Sequence, residues 1–400
     1  MPGEHRRRYN PAMHNQLPAP GADALEHSAR LSARIATEIR DAGGWLGFAR
    51  FMELALFAPG LGYYSGGSHK FGPDGDFVTA PEISPLFGRA LAAQVLQIME
   101  ASAPELIEVG AGTGALACDL LLELEARGCL PAQYGILELS GELRVRQAEA
   151  IQARVPHLAG RVVWLDALPE NFSGCVLANE VLDVMPVQLV VWRDGAIFER
   201  GVVLDAAGEF AWQDRPAAGR LLAAAEALPV DMPEEGEYLS EICLAAQAWV
   251  AEWASCIERG ALLLIDYGYP QAEYYLPSRS SGSLQCYYRH RAHPEVLLWP
   301  GLNDITSFVD FTAIATAAHE AGFSVAGYTS QASFLQNCGV LELLGSVGPS
   351  DSPAYLRAAR AALRLVAPHE MGELFKVLLL TRGLDEAWLG VLRGDRTHAL

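Results

Sequence analysis

Residues 106–121 read LIEVGAGTGALACDLL: an apolar run, then Gly110-x-Gly112-x-Gly114, then a helical pattern. This stretch constrains the chain most. Glycine permits a tight turn and close approach of backbone to a ligand. The following helix start presents unpaired N–H groups and a partial positive charge. Leu116, Leu120, Leu121 and Leu124 share one helical face, and Gly128 stands where a C-cap is expected. Short apolar runs follow at 134–139, 162–165, 175–178 and 261–265, and FKVLLLTRG supplies a last strand. Nearly continuous apolar strands alternating with helices predict a parallel sheet covered on both faces, a doubly wound α/β fold.

Around this sheet the chain divides into predicted parts. Residues 1–28 read as a flexible tail, 29–84 as a helical segment with a glycine-rich loop, 85–385 as the α/β domain, and 386–400 as a second tail. Leu31 to Ile39 forms an amphipathic helix closed by Gly43-Gly44, and a second helix stops at Pro59-Gly60. Two stretches break the strand–helix rhythm. Residues 190–240 hold a hairpin with an Asp194-Gly195 turn and then a helix; 270–310 are aromatic and Ser-rich. Insertions of this kind tend to lie over strand C-termini, where ligands bind.

Composition narrows the function. Hydrophobic residues make up 51% of 400, enough for a large core, and no run reaches membrane-spanning length. The net charge of −19 argues against a nucleic-acid partner and suits a basic protein or peptide. The start has basic residues but no apolar signal region, and Pro11, Pro18 and Pro20 interrupt any presequence helix. A bacterial cytoplasm is expected, or the mitochondrial matrix for a eukaryotic source. None of the seven cysteines is spaced C-x-x-C, so no cysteine zinc site is expected. His290 and His293 stand three apart without an acid cluster, and no metal is expected there either.

Acids follow three successive strands. Glu138 ends the second, where it can accept hydrogen bonds from ribose hydroxyls, and Asp166 ends the third, where it can meet an adenine amine. Glu108 precedes the glycine turn. It can bind a cation such as the sulfonium or ammonium of S-adenosylmethionine, or only brace the loop backbone. Gly110-x-Gly112-x-x-Ala115 also fits a dinucleotide fingerprint, but a Tyr-x-x-x-Lys pair is absent, and neither Lys70 nor Lys376 lies in a loop at the sheet edge. The fourth strand ends in ANEVLDVMPV, placing Asn179, Glu180 and Asp183 beside the glycine loop. A carboxylate there can clamp a guanidinium by two parallel hydrogen bonds, or it can cap the next turn.

The set GYY at 62–64, GDFVTAPEIS at 75–84, EVGAGTG at 108–114, ILELS at 136–140, ANEVLDVMPV at 178–187, IDYG at 265–268, PGLNDITSFVDF at 300–311 and MGELFKVLLL at 371–380 resembles the MidA/NDUFAF7 family over roughly residues 31–385. The resemblance implies a class I S-adenosylmethionine-dependent methyltransferase of Rossmann-like fold. Its mitochondrial member is a protein-arginine methyltransferase that assists assembly of respiratory complex I. The implied acceptor is therefore a protein with an exposed arginine, such as a complex I subunit, and a homodimer is allowed. The resemblance places cofactor at Glu108, Gly110, Gly112, Gly114 and Glu138, with Thr79, Pro81, Glu82 and Ser84 on a covering loop. Their place after the fourth strand puts Glu180, Asp183 and Asn179 on the acceptor side, Glu180 first as the clamp and Asp183 second, and the resemblance adds His290 there as a proton acceptor. Tyr267 is expected in the pocket wall, and Tyr274, Tyr275, Tyr287 and Tyr288 in a peptide groove or the core. Two departures fall on the acceptor side: Val184-Met185-Pro186 where the family has Ala-Leu-Pro or Ala-Phe-Pro, and Phe308 where it often has His. A small-molecule methyltransferase on this fold, or a non-enzymatic assembly factor keeping the pocket, are the rival readings.

Overall fold

The computed structural model describes residues 17–66, 79–233 and 235–400. Its main sheet contains strands β1 (Glu105–Val109), β2 (Gln133–Leu137), β3 (Val162–Leu165), β4 (Phe172–Asn179), β5 (Ile257–Tyr269), β6 (Ser324–Ser330) and β7 (Phe375–Arg382). They lie in the order β3-β2-β1-β4-β5-β7-β6, and a two-residue strand at Val309–Asp310 pairs the end of β5. The first five are parallel, while β7 runs antiparallel to both β5 and β6. Strand order therefore reverses between β1 and β4. That is the switch point where a crevice opens beyond the strand C-termini.

Both faces of the sheet are covered, which is why its central strands are apolar throughout. Helices Pro85–Ala101, Ala115–Ala126 and Pro353–Val366 contribute to one core; Leu244–Cys256 and Phe311–Glu320 contribute to the other. The chain beyond β7, read as a tail, is held to the first face. Trp388 and Val391 are buried, Gly390 N donates to Gln94 Oε1 at 2.8 Å, and Asn337 Nδ2 donates to the carbonyls of Gly390 and Arg393.

The insertion at 190–240 builds a second, five-stranded sheet rather than a lone hairpin. Gln188–Arg193 and Ala196–Leu204 form the expected hairpin, with Asp194 and Gly195 both at positive φ. Tyr238–Ile242 pairs the first of these strands; Phe210–Pro216 and Leu46–Gly47 pair the second. The N-terminal helices pack on this sheet through Leu31, Ile35, Ile39 and Phe51. The first of them spans Ala22–Asp41, so it begins inside the stretch read as a flexible tail. The 270–310 insertion folds Gln285–Tyr288 between Arg291–His293 and Asp304–Thr306. Tyr274, Tyr275 and Tyr288 go into the core; Tyr287 faces the crevice beyond the strand C-termini.

Candidate active site

A cavity of about 970 Å³ lies at the β1/β4 switch point. The glycine turn forms one wall. Gly110, Gly112 and Gly114 have φ of 66°, 51° and 80°, values that side chains with a Cβ resist. No atom of the described residues lies within 4 Å of where a Cβ on Gly112 would sit, which leaves the backbone there room for a ligand. Gly114 serves otherwise than expected. It does not line the cavity but starts the helix against Gln147, whose Cα would be 3.2 Å from an added Cβ. Thr113, a spacer between the motif's glycines, lines the wall instead.

Three acids follow along the sheet edge. Glu108 is buried, and its Oε2 accepts from Tyr134 Oη at 2.6 Å. Burial pushes its carboxyl up to about 7, with the tyrosine bond pulling the other way. Glu138 is buried too, held by Ser140 N at 2.9 Å and Gln147 Nε2 at 3.0 Å. Each of its oxygens accepts one of these bonds, and a carboxylate has about four acceptor sites, so capacity remains for two hydroxyls. Asp166 stands exposed at the rim, where Arg144 Nη1 donates to it at 2.7 Å. The same guanidinium donates to the carbonyls of Glu138 and Leu165, which ties the β2 and β3 ends together.

The fourth strand delivers a second group of acids. Glu180 takes a positive φ of 55°, and its N–H donates to Ile265 O at 2.9 Å. Its Oε1 accepts from Asn179 Nδ2 at 3.1 Å and Ala80 N at 3.4 Å. Burial, reinforced by Asp183, raises its carboxyl to about 8. Asp183 Oδ2 accepts from Tyr267 Oη at 2.6 Å, and burial lifts this acid to about 6 against that bond. Asn179 Oδ1 and Asp183 Oδ1 are both buried without a hydrogen-bond partner among the described residues.

What holds this turn is a residue read in the sequence only as a strand end. Asp266, buried at the end of β5, accepts from the N–H groups of Val181, Leu182 and Asp183 at 3.2, 2.9 and 3.3 Å. Its other oxygen accepts from Tyr267 N at 2.9 Å, so removing the side chain takes an acceptor from four N–H groups. Asp266→Ala should destabilise the protein by about 2–4 kcal/mol in a denaturant titration and lower kcat through a displaced Glu180.

Two expected site residues lie elsewhere. Ser84 is buried outside the cavity wall and caps helix Pro85–Ala101, accepting from Leu86 N at 3.2 Å. His290 sits exposed at the turn between Gln285–Tyr288 and Arg291–His293 and does not line the cavity. Of the covering loop, Thr79, Pro81 and Glu82 line the cavity, while Gly75, Asp76, Phe77 and Val78 lie outside the described residues. Tyr267 and Phe308 meet edge to face, with centroids 5.3 Å apart, and both line the wall. Tyr64, from the Gly62-Tyr63-Tyr64 motif, lines it as well, as do Trp249 and Arg364, which no sequence motif marked.

A glycine turn at the switch point, an acid after each of the next two strands, and a further acidic group after β4 define a class I transferase with an adenosine-bearing cofactor. Comparison with known proteins gives the family. Residues 88–329 match the family of S-adenosyl-L-methionine-dependent methyltransferases, and this chain belongs to it. A crystal structure from Burkholderia thailandensis, bound to S-adenosyl-homocysteine, is 49% identical, with a TM-score of 0.92 over 96% of this chain and 100% of that one. "Protein arginine methyltransferase NDUFAF7, mitochondrial" from Danio rerio is 28% identical over 368 residues, 84% of this chain and 83% of that protein. Its Mus musculus counterpart is 29% identical over 370 residues, 83% and 80% of the two chains. The cofactor is S-adenosylmethionine, and the open face of Gly112 and the spare acceptor sites of Glu138 fit it.

Proposed function

We propose that this enzyme methylates a guanidino nitrogen of arginine in a protein acceptor. The observation that carries the reading is the pair of buried acceptors, Asn179 Oδ1 and Asp183 Oδ1, which have no hydrogen-bond partner among the described residues and lie beside the carboxylate of Glu180. A guanidinium offers five N–H donors in one plane, enough to satisfy such a group at once. The names of the relatives as arginine methyltransferases and the net charge of −19 support a cationic protein acceptor.

S-adenosylmethionine supplies an electrophilic methyl group. The protein's part is to hold and orient. Glu108 would hold the cofactor's ammonium, Glu138 its ribose hydroxyls and Asp166 its adenine amine, with Gly110 and Gly112 allowing close approach and Thr79, Pro81 and Glu82 on the covering side. Glu180 and Asp183 clamp the guanidinium and aim one nitrogen. When the new N–C bond forms and the S–C bond breaks, that nitrogen sheds one proton and the product remains a cation. Glu180 takes the proton, since a carboxyl raised by burial is a better base than an ordinary one. Tyr267 keeps Asp183 ionised and in place.

Protein labelled with the tritiated-methyl cofactor in a cell extract, then hydrolysed to amino acids, tests this. Label is expected in methylarginines. Label in methyllysine or in small metabolites alone would overturn the arginine assignment while leaving the methyltransferase intact.

A further inference from the structure

The cavity wall carries eight acids and, among the described residues, a single base, Arg364. A methyl donor that is cationic at sulfur and nitrogen suits most of that field. Its methionine carboxylate does not: an anion placed among acids is repelled unless a cation meets it. Arg364 has no ion pair with a described residue, although Arg144, Arg154 and Arg396 in the same domain are all paired. It is exposed in the last turn of its helix, where the dipole favours a cation, and no described side chain neutralises it.

Its place in the fold matches the demand. Along the sheet edge, in strand order, stand Asp166 after β3, Glu138 after β2, Glu108 in β1, Glu180 after β4 and Phe375 in β7. Arg364 arrives from helix Pro353–Val366, which precedes β7, so it stands toward the opposite end of this row from the adenine-side acid. The helix belongs to the core face that also holds helix Ala115–Ala126, whose start is the glycine turn. It also packs against the short helix Ala80–Ile83 of the covering loop.

We infer that Arg364 binds the carboxylate of the cofactor's methionine moiety. The guanidinium fork matches a carboxylate through two parallel N–H···O bonds. The inference rests on the cofactor's identity and not on arginine being the acceptor, and no acceptor enters its test.

Calorimetric titration of the full chain with S-adenosylhomocysteine, and with the analogue in which the carboxylate is replaced by hydrogen, decides it. The wild type should bind the analogue about tenfold or more weakly, a 1.4 kcal/mol loss per factor of ten. Arg364→Gln should weaken S-adenosylhomocysteine by the same factor and leave analogue binding unchanged, which also certifies the variant's fold. Arg364→Lys should recover part of the loss. An Arg364→Gln variant that binds S-adenosylhomocysteine as tightly as wild type, or loses both ligands equally, overturns the assignment. Binding of neither ligand by the wild type would instead count against the cofactor site itself.

Discussion

Glu180→Gln should lower kcat by about a thousandfold while leaving the Kd for S-adenosylhomocysteine within about threefold of wild type. The amide keeps the shape of the side chain and can still accept from Asn179 Nδ2 and Ala80 N. It cannot balance a guanidinium charge or take a proton. A variant that turns over at a tenth of the wild-type rate would remove Glu180 from the chemistry. The same substitution should stabilise the ligand-free protein. The native carboxyl titrates near 8 against an ordinary value near 4.5, so the folded state binds this proton more tightly than the unfolded chain. Its contribution to stability is full below about 4.5 and is lost as pH rises through 8. Glutamine escapes that loss. Its thermal midpoint should therefore match the wild type near pH 5 and exceed it at pH 8.5, by the equivalent of about 1–3 kcal/mol after allowance for pocket water. Greater stability with less activity is the signature of a carboxylate kept for function at a cost to the fold.

Much of this site could be read from the chain because its geometry is local. Gly110 and Gly112 lie in one turn, and Glu138, Asp166 and Glu180 each stand within a residue of a strand end, so an apolar run followed by an acid was signal enough. The strands β1 and β3 end where the apolar runs end. β6 escaped notice because Ser324–Ser330 is half polar, contains Gly327 and lies at the sheet edge, where only one side needs pairing. Ser84 misled because a serine before a proline-led helix caps as readily as it binds. His290 misled because a motif fixes position in the chain and not the direction of a hairpin tip. Gln147 and Asp266 act through contacts between distant segments: Gln147 spans Gly112, Glu138 and Trp164 from the middle of a helix, and Asp266 on β5 holds the turn after β4. No local pattern announces such a role.

The rate should also depend steeply on pH, and the sign follows from burial. The clamp needs Glu180 and Asp183 ionised, yet burial raises them to about 8 and about 6. With cofactor saturating, Glu108 is engaged and its titration drops out of the profile. The cofactor's positive charge favours ionised Glu180, so its break falls at or below 8. From a plateau near pH 9, kcat/KM for an arginine peptide should fall about tenfold per pH unit below that break, and more steeply below about 6 as Asp183 also takes a proton. Tyr267→Phe gives the assignment a second handle. The hydroxyl donates to Asp183 Oδ2 at 2.6 Å and favours the ionised acid; without it the acid is weaker. The lower break should then move toward higher pH while the upper one stays. A profile flat from pH 6 to 9, or a Tyr267→Phe profile shifted to lower pH, would mean that these carboxylates do not meet the acceptor's charge.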